Sequence, residues 1–173
     1  PVVLLARSVV AYGGQERDDL VGIDNRRAGY RITEHLLHLG ARRIAFVGFA
    51  NAAPTVDARR AGYREALHRY GASADADLSI DLEGDAGRCL RLMEHARPDG
   101  IVCANDRTAG LVMHALLRAG YAIPDAVRIA GIDDVHYAAL LPVPLTTLRQ
   151  PCGEIGNAAM AAMLERISRP ALP

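Results

Sequence analysis

Short runs without a single polar residue, set between helix-length segments, constrain this chain more than any other feature. Ile44-Ala45-Phe46-Val47 and Ile101-Val102-Cys103-Ala104 are apolar throughout. Strands that are apolar on both faces belong to a parallel sheet covered on both sides, not to a sheet with one wet face. The same reading places strands over residues 2–5, 20–23, 43–49, 78–82, 100–104, 127–132 and 145–148. Helices are expected over roughly 24–39, from about 56 to 70, and over 84–96, 106–119 and 154–167, with a short helical turn at 135–141. The first helix is opened by Asp24-Asn25 and carries Ala28, Ile32, Leu36 and Leu39 inward, with Gly40 as its stop. The second turns Tyr63, Ala66, Leu67 and Tyr70 inward and ends at Gly71. In the last, Ile155, Ala159, Met163 and Ile167 form the apolar face. Strand and helix alternating in this way give an α/β fold with a parallel, doubly wound sheet.

Composition narrows the chemistry. Twenty basic residues balance twenty acidic ones in a chain of 173. A domain that grips phosphate backbone on its own carries a basic excess, so nucleic-acid binding by this polypeptide alone is not expected. All the basic residues are arginine, which removes Schiff-base chemistry and the lysine of a phosphate-binding loop. No glycine-rich phosphate fingerprint follows any strand, and no cofactor is expected. Cys89, Cys103 and Cys152 are odd in number and far apart, the pattern of a reducing cytoplasm and not of a disulfide framework. The apolar runs are strand-sized, too short for a membrane span.

In an open parallel sheet the ligand lies beyond the carboxyl ends of the strands. The residues there are Ala6-Arg7, Gly48 to Asn51, Asp81 to Asp85, Asn105-Asp106 and Asp133-Asp134. Carboxylates accept hydrogen bonds, Asn both donates and accepts, and Arg59 and Arg60 at the start of the second helix are planar donor forks that could reach the same rim. That mixture suits a polyol or sugar. Asn and Asp after strands are also ordinary helix caps. Two weaker patterns stand beside it. His35 and His38 lie three apart on a helix without the rest of a zinc motif, so no metal site is assigned. Asp133, Asp134 and His136 have the makings of a metal-assisted hydrolase, without a separate nucleophile.

Several motifs run in order along the chain. They are Val21-Gly22-Ile23-Asp24-Asn25-Arg26-Arg27-Ala28-Gly29, then His35 to Gly48, then Arg59-Arg60-Ala61-Gly62-Tyr63. Pro98-Asp99-Gly100-Ile101 leads into Ala104-Asn105-Asp106. Ile123-Pro124-Asp125, Gly131-Ile132-Asp133-Asp134 and Pro144-Leu145-Thr146-Thr147-Leu148-Arg149-Gln150-Pro151 complete the series. Together they resemble the effector-binding core of the LacI/GalR (lactose/galactose repressor) family of transcriptional regulators.

The resemblance implies a two-lobed, periplasmic-binding-protein-like fold of type I with an effector between the lobes. Residues 24–148 would form a nearly complete C-terminal lobe, and 1–23 with 149–173 a partial N-terminal one. The DNA-binding headpiece would lie outside this sequence, so operator DNA would be reached only through it. Ile23, Asp24, Asn25, Leu148 and Arg149 would be hinge residues. Arg59, Asn105 and Asp133 match the family's effector-contacting positions, with Arg7 as a fourth contact and Phe49, Asp106 and Asp85 on the rim. Arg59 would face solvent there, so its removal would weaken binding and leave the lobe folded. Ala6 stands where the family commonly has Asp, which tilts the effector from a plain sugar toward a sugar acid or sugar phosphate. A cytoplasmic homodimer without membrane contact would follow, with residues 135–141 and 154–167 as candidate interface elements. A transport-type sugar-binding protein shares the fold and is the first rival; the hydrolase is the second. An incomplete N-terminal lobe would also leave the strand at 2–5 with an exposed apolar face.

Overall fold

The computed structural model describes residues 1–7, 14, 18–49, 53–72, 78–82, 85 and 87–169. Asn51, Gly84 and Ala86 of the sequence reading lie outside the described residues, as does most of the glycine-containing stretch between the first two strands.

Two parallel sheets form. Strands β3 (Ile44–Gly48), β4 (Ser79–Asp81), β5 (Gly100–Cys103), β6 (Arg128–Asp133) and β7 (Thr146–Arg149) make a five-stranded sheet in the order β4-β3-β5-β6-β7. Strands β1 (Val3–Leu5) and β2 (Asp19–Val21) pair in a sheet of their own. The five-stranded sheet fits the parallel, doubly covered expectation. Its side chains alternate as the pleat requires. Phe46, Val102, Ala130 and Ile132 pack on one face with helices α1 (Asn25–His38) and α2 (Pro54–Arg69). Ala45, Val47, Ile101, Cys103 and Ile129 pack on the other with α3 (Gly87–Ala96) and α4 (Asp106–Arg118). A one-turn 3-10 helix at His136–Leu140 joins β6 to β7, and α5 (Cys152–Ser168) lies against β1 and β2.

Local signals explain most boundaries. The Asp24 carboxylate accepts from Arg27 N at 2.9 Å and caps α1; Asn105 Oδ1 does the same for Thr108 N and caps α4. Gly40, Gly71 and Gly120 have φ of +92°, +61° and +84°, the left-handed turn that ends a helix. Helix α2 starts two residues before the expected place because Pro54, which lacks an N–H, suits the first turn. Three inward assignments fail. Leu39 is 51% exposed and Tyr70 42% exposed. Both are C-cap residues, where the chain leaves the helical cylinder and the apolar stripe no longer faces the core. Ile167 is likewise exposed, at the last turn of α5.

Helices α1 and α2 touch backbone to backbone. A Cβ on Gly29 would collide with the carbonyl oxygen of Arg59, and one on Gly62 with that of Arg26. Each glycine thus makes room for the other helix. Cysteines 89 and 103 are buried free thiols; burial pushes Cys89 up to about 11 and raises Cys103 well above the ordinary thiol value, so both are inert core groups. Among the described residues no helix is long and apolar enough to cross a membrane.

Candidate functional site

The strand order reverses beside β3: the chain steps from β3 out to β4, then returns to the other side of β3 as β5. The crevice past the carboxyl ends of β3, β5 and β6 is therefore where this fold presents ligand-binding groups. Arg59 lies there, but buried. Only 5% of the residue is exposed, and its guanidinium is spread over three partners. Nε donates to Asn25 Oδ1 at 2.9 Å, a terminal nitrogen to the Ala104 carbonyl at 2.6 Å, and the other to Asp133 Oδ1 at 3.5 Å. The expected solvent-facing Arg59 is thus corrected. The open end of β5 offers a bare carbonyl, and a planar fork with five N–H groups is the side chain that can satisfy it while pairing with a carboxylate.

Asp133 closes the network. Its Oδ1 also accepts from Gln150 Nε2 at 2.5 Å, and Oδ2 has no partner among the described residues. Burial raises the Asp133 carboxyl above its ordinary range; the Gln150 hydrogen bond and the Arg59 charge oppose that rise, and the Asp106 charge adds to it. Burial likewise pulls Arg59 down against the attraction of Asp133. The backbone here is unusual: φ is 143° at Asp133 and 58° at Asp134, a region that costs a non-glycine residue about 1–3 kcal/mol. Asn105, next after Ala104, spends its Oδ1 on the helix cap and keeps Nδ2 without a partner among the described residues. One amide donor and one carboxylate acceptor oxygen therefore remain for a ligand, on either side of the Arg59 contacts.

The other sequence candidates divide. Asp106 is fully buried and not on a rim: its carboxylate accepts from Thr147 Oγ1 at 2.6 Å and Val135 N at 3.0 Å. Asp85 is exposed but engaged by α3, accepting from Gly87 N and Arg91. Phe49, half-buried at the end of β3, packs against the core shared with α3 and α4. Arg7 is exposed just past β1 and makes no hydrogen bond among the described residues. Arg60 turns away from Arg59, reaching Asp81 at 2.5 Å with its guanidinium 5.4 Å from the Phe46 ring centre. The hydrolase trio does not converge: Asp134 is held by Arg149 at 2.6 Å, Asp133 by Arg59 and Gln150, and His136 is exposed. His38 meets Tyr70 edge-on, and among the described residues no cluster of His, Cys, Asp and Glu could hold a metal ion.

The segments named as hinge are tied to the five-stranded sheet. Ile23 and Leu148 pack against the α1–α2 core, and Asn25 bridges the Ile23 carbonyl to Arg59. Asn25, expected in the hinge, and Gln150 thus both belong to the Arg59–Asp133 network, a role the motifs did not give them. Parallel pairing of β6 with β7 sets Asp133 opposite Arg149, which brings the next residue, Gln150, to the same edge; that register was the available signal.

The profile of the periplasmic binding protein-like domain family matches residues 33–173. The ribose operon repressor of Escherichia coli strain K12 is 30% identical over 159 residues, which is 89% of this chain and 48% of the repressor. The arabinose metabolism transcriptional repressor of Geobacillus stearothermophilus is 31% identical over 157 residues, 86% of this chain and 43% of that protein. The chain therefore spans about half the length of the curated relatives it matches. Among solved structures, a LacI family transcriptional regulator from Enterococcus faecium with bound ribose superposes with a TM-score of 0.84. It is 30% identical, over 100% of this chain and 64% of that one.

Proposed function

This chain belongs to the periplasmic binding protein-like domain family of LacI/GalR-type regulators, and from that premise we propose that it senses a small sugar-like effector. Residues 24–148 form one lobe, and 1–23 with 149–173 contribute to the second. The effector sits at the carboxyl edge of β5 and β6. Asp133 accepts hydroxyl protons, Asn105 donates, and Arg59 fixes both neighbours in place. Arg7 reaches the effector from the second lobe. The binding is non-catalytic: a ligand that touches both lobes favours one lobe arrangement by its differential affinity for the two. In the whole cytoplasmic regulator, working as a homodimer, that shift changes operator affinity through a DNA-binding headpiece.

The observation that carries this reading is the buried Arg59 between the Ala104 carbonyl and Asp133, with Asn105 Nδ2 and Asp133 Oδ2 left over beside it. Titration calorimetry with ribose, arabinose, a sugar acid and a sugar phosphate tests it. One ligand is expected to bind, and Asp133→Asn to weaken it at least tenfold. Metal-dependent hydrolysis of any of them, with Asp133→Asn abolishing turnover and sparing affinity, would replace sensing with catalysis.

A further inference from the structure

Asp106 has no place in the contact set just described, yet it is the one carboxylate among the described residues with no exposed surface at all. Its position is built from three elements. It is the first residue of α4, where the helix N-terminus favours a negative charge. Its side chain lies over β6 at Gly131, where a Cβ would collide with Asp106 Oδ1. Thr147, the register partner of Gly131 on β7, donates its hydroxyl to the same Oδ1 at 2.6 Å. A glycine in the second of the four β6–β7 pairs is thus explained by a carboxylate passing above it.

We infer that Asp106 is a positioning residue of the effector site: it holds the Asp133-Asp134-Val135 turn in shape without touching ligand. This rests on the effector-binding reading above. An ionised carboxylate only accepts hydrogen bonds, so the Thr147 hydroxyl must point its proton at Asp106. Its oxygen is then free to accept from Asp134 N, which lies 3.2 Å away. The second carboxylate oxygen of Asp106 takes Val135 N directly at 3.0 Å. Two successive backbone N–H groups are thereby anchored, one through Thr147 and one directly. They follow the two residues with positive φ, Asp133 and Asp134. Without these anchors the turn can relax toward ordinary φ values, and a rotation at Asp133 swings its carboxylate away from Arg59 and Gln150.

Asparagine at 106 keeps the shape but loses the charge: its amide nitrogen can meet Thr147 only as a donor, which turns the Thr147 proton away from its present acceptor, and its amide oxygen holds Val135 N less strongly than a carboxylate does. Amide hydrogen exchange by NMR and calorimetry with D-ribose test the inference on wild type, Asp106→Asn and Thr147→Val, with Val112→Ala as a matched loosening of α4. Exchange at Val135 is expected to rise at least tenfold in Asp106→Asn. At Asp134 it should rise in both Asp106→Asn and Thr147→Val, with ribose affinity falling at least tenfold in the first and about threefold in the second. Val112→Ala should leave these readings within twofold. Ribose affinity that falls without faster exchange at these amides, or faster exchange at unchanged affinity, overturns the positioning role; Thr147→Val decides if Asp106→Asn does not fold. Failure of wild type to bind ribose or any sugar of the wider panel removes the effector reading alone, because the exchange arm needs no ligand.

Discussion

The five-stranded sheet and the β1–β2 pair are both parallel, yet among the described residues only the first is covered on two faces. Phe46, Ile101, Val102, Ile132 and Leu116 are all fully buried around the larger sheet. Around the smaller one Val2, Leu5 and Leu20 are about half exposed, and so are Met160, Leu164 and Ile167 on α5. A two-stranded sheet is marginal by itself and needs a further layer. Here α5 supplies one side, pinned by a two-point ion pair in which Arg166 donates to Asp19 at 2.6 and 2.8 Å. The larger region is held by burial on both faces, the smaller by its contact with α5, with a charge pair added at its surface. Length of sheet matters less than whether both faces find a partner.

The widest separation between the regions should come from large-to-small substitution. Phe46→Ala is expected to cost about 3–5 kcal/mol, because the ring is fully buried beside Tyr63. Met160→Ala and Ile167→Ala should stay within about 0.5 kcal/mol. Urea denaturation checks both, and comparable losses would erase the contrast. Next comes Arg59→Ala, expected to cost roughly 3 kcal/mol, since it strands the Ala104 carbonyl and the half-buried Asp133 together. Arg59→Lys should recover only part, because one ammonium cannot span three acceptors. Full retention of stability in Arg59→Ala would return the residue to the solvent rim that its sequence position suggested.

A smaller, more local effect is expected from Arg166→Ala. Amides of β1 and β2 should exchange faster while those of β5 and β6 do not change; a global loss would show that the two regions melt as one. The smallest effect is a divergence with pH. Asp19 is held below the ordinary carboxylate value chiefly by the Arg166 hydrogen bond, so its stabilising contribution is present above the unfolded value and disappears as pH falls through the lowered folded one. Asp133 is raised by burial, so its contribution is present below the unfolded value and disappears as pH rises through the raised folded one. Acidification below about pH 4 should therefore loosen Val3 and Leu20 amides before Ile101 and Ala130. The Asp133 carboxylate also protonates early, so effector affinity should decline at a pH where an ordinary aspartate is still ionised. Amide exchange against pH, paired with calorimetry, reads both; simultaneous loosening of the four amides would break the contrast.

The larger region was legible in the sequence because its signals are local. Apolar runs at 44–47 and 101–104 announce doubly covered strands, Asp24 and Asn105 announce caps, and Gly40, Gly71 and Gly120 announce stops. The site was legible only as a list. Asn105 and Asp133 lie at the predicted strand ends, but an arginine in a sequence reads as a surface residue. What buries Arg59 is a backbone carbonyl, which has no side-chain signature. Asp106 failed as a rim residue for the same reason: its partners, Val135 N and the Thr147 hydroxyl, meet it only once β6 and β7 are in register.

The mutual notch at Gly29 and Gly62 has a mechanical consequence. Side chains between helices act as compliant spacers, and here there are none at the crossing. Helices α1 and α2 must therefore turn as a single lever. Its near end begins at Asp24, where the chain leaves β2, and α2 carries the Arg59 guanidinium. A rotation where the chain enters α1 is therefore expected to carry the guanidinium with it, and a shift of the guanidinium to act back on α1.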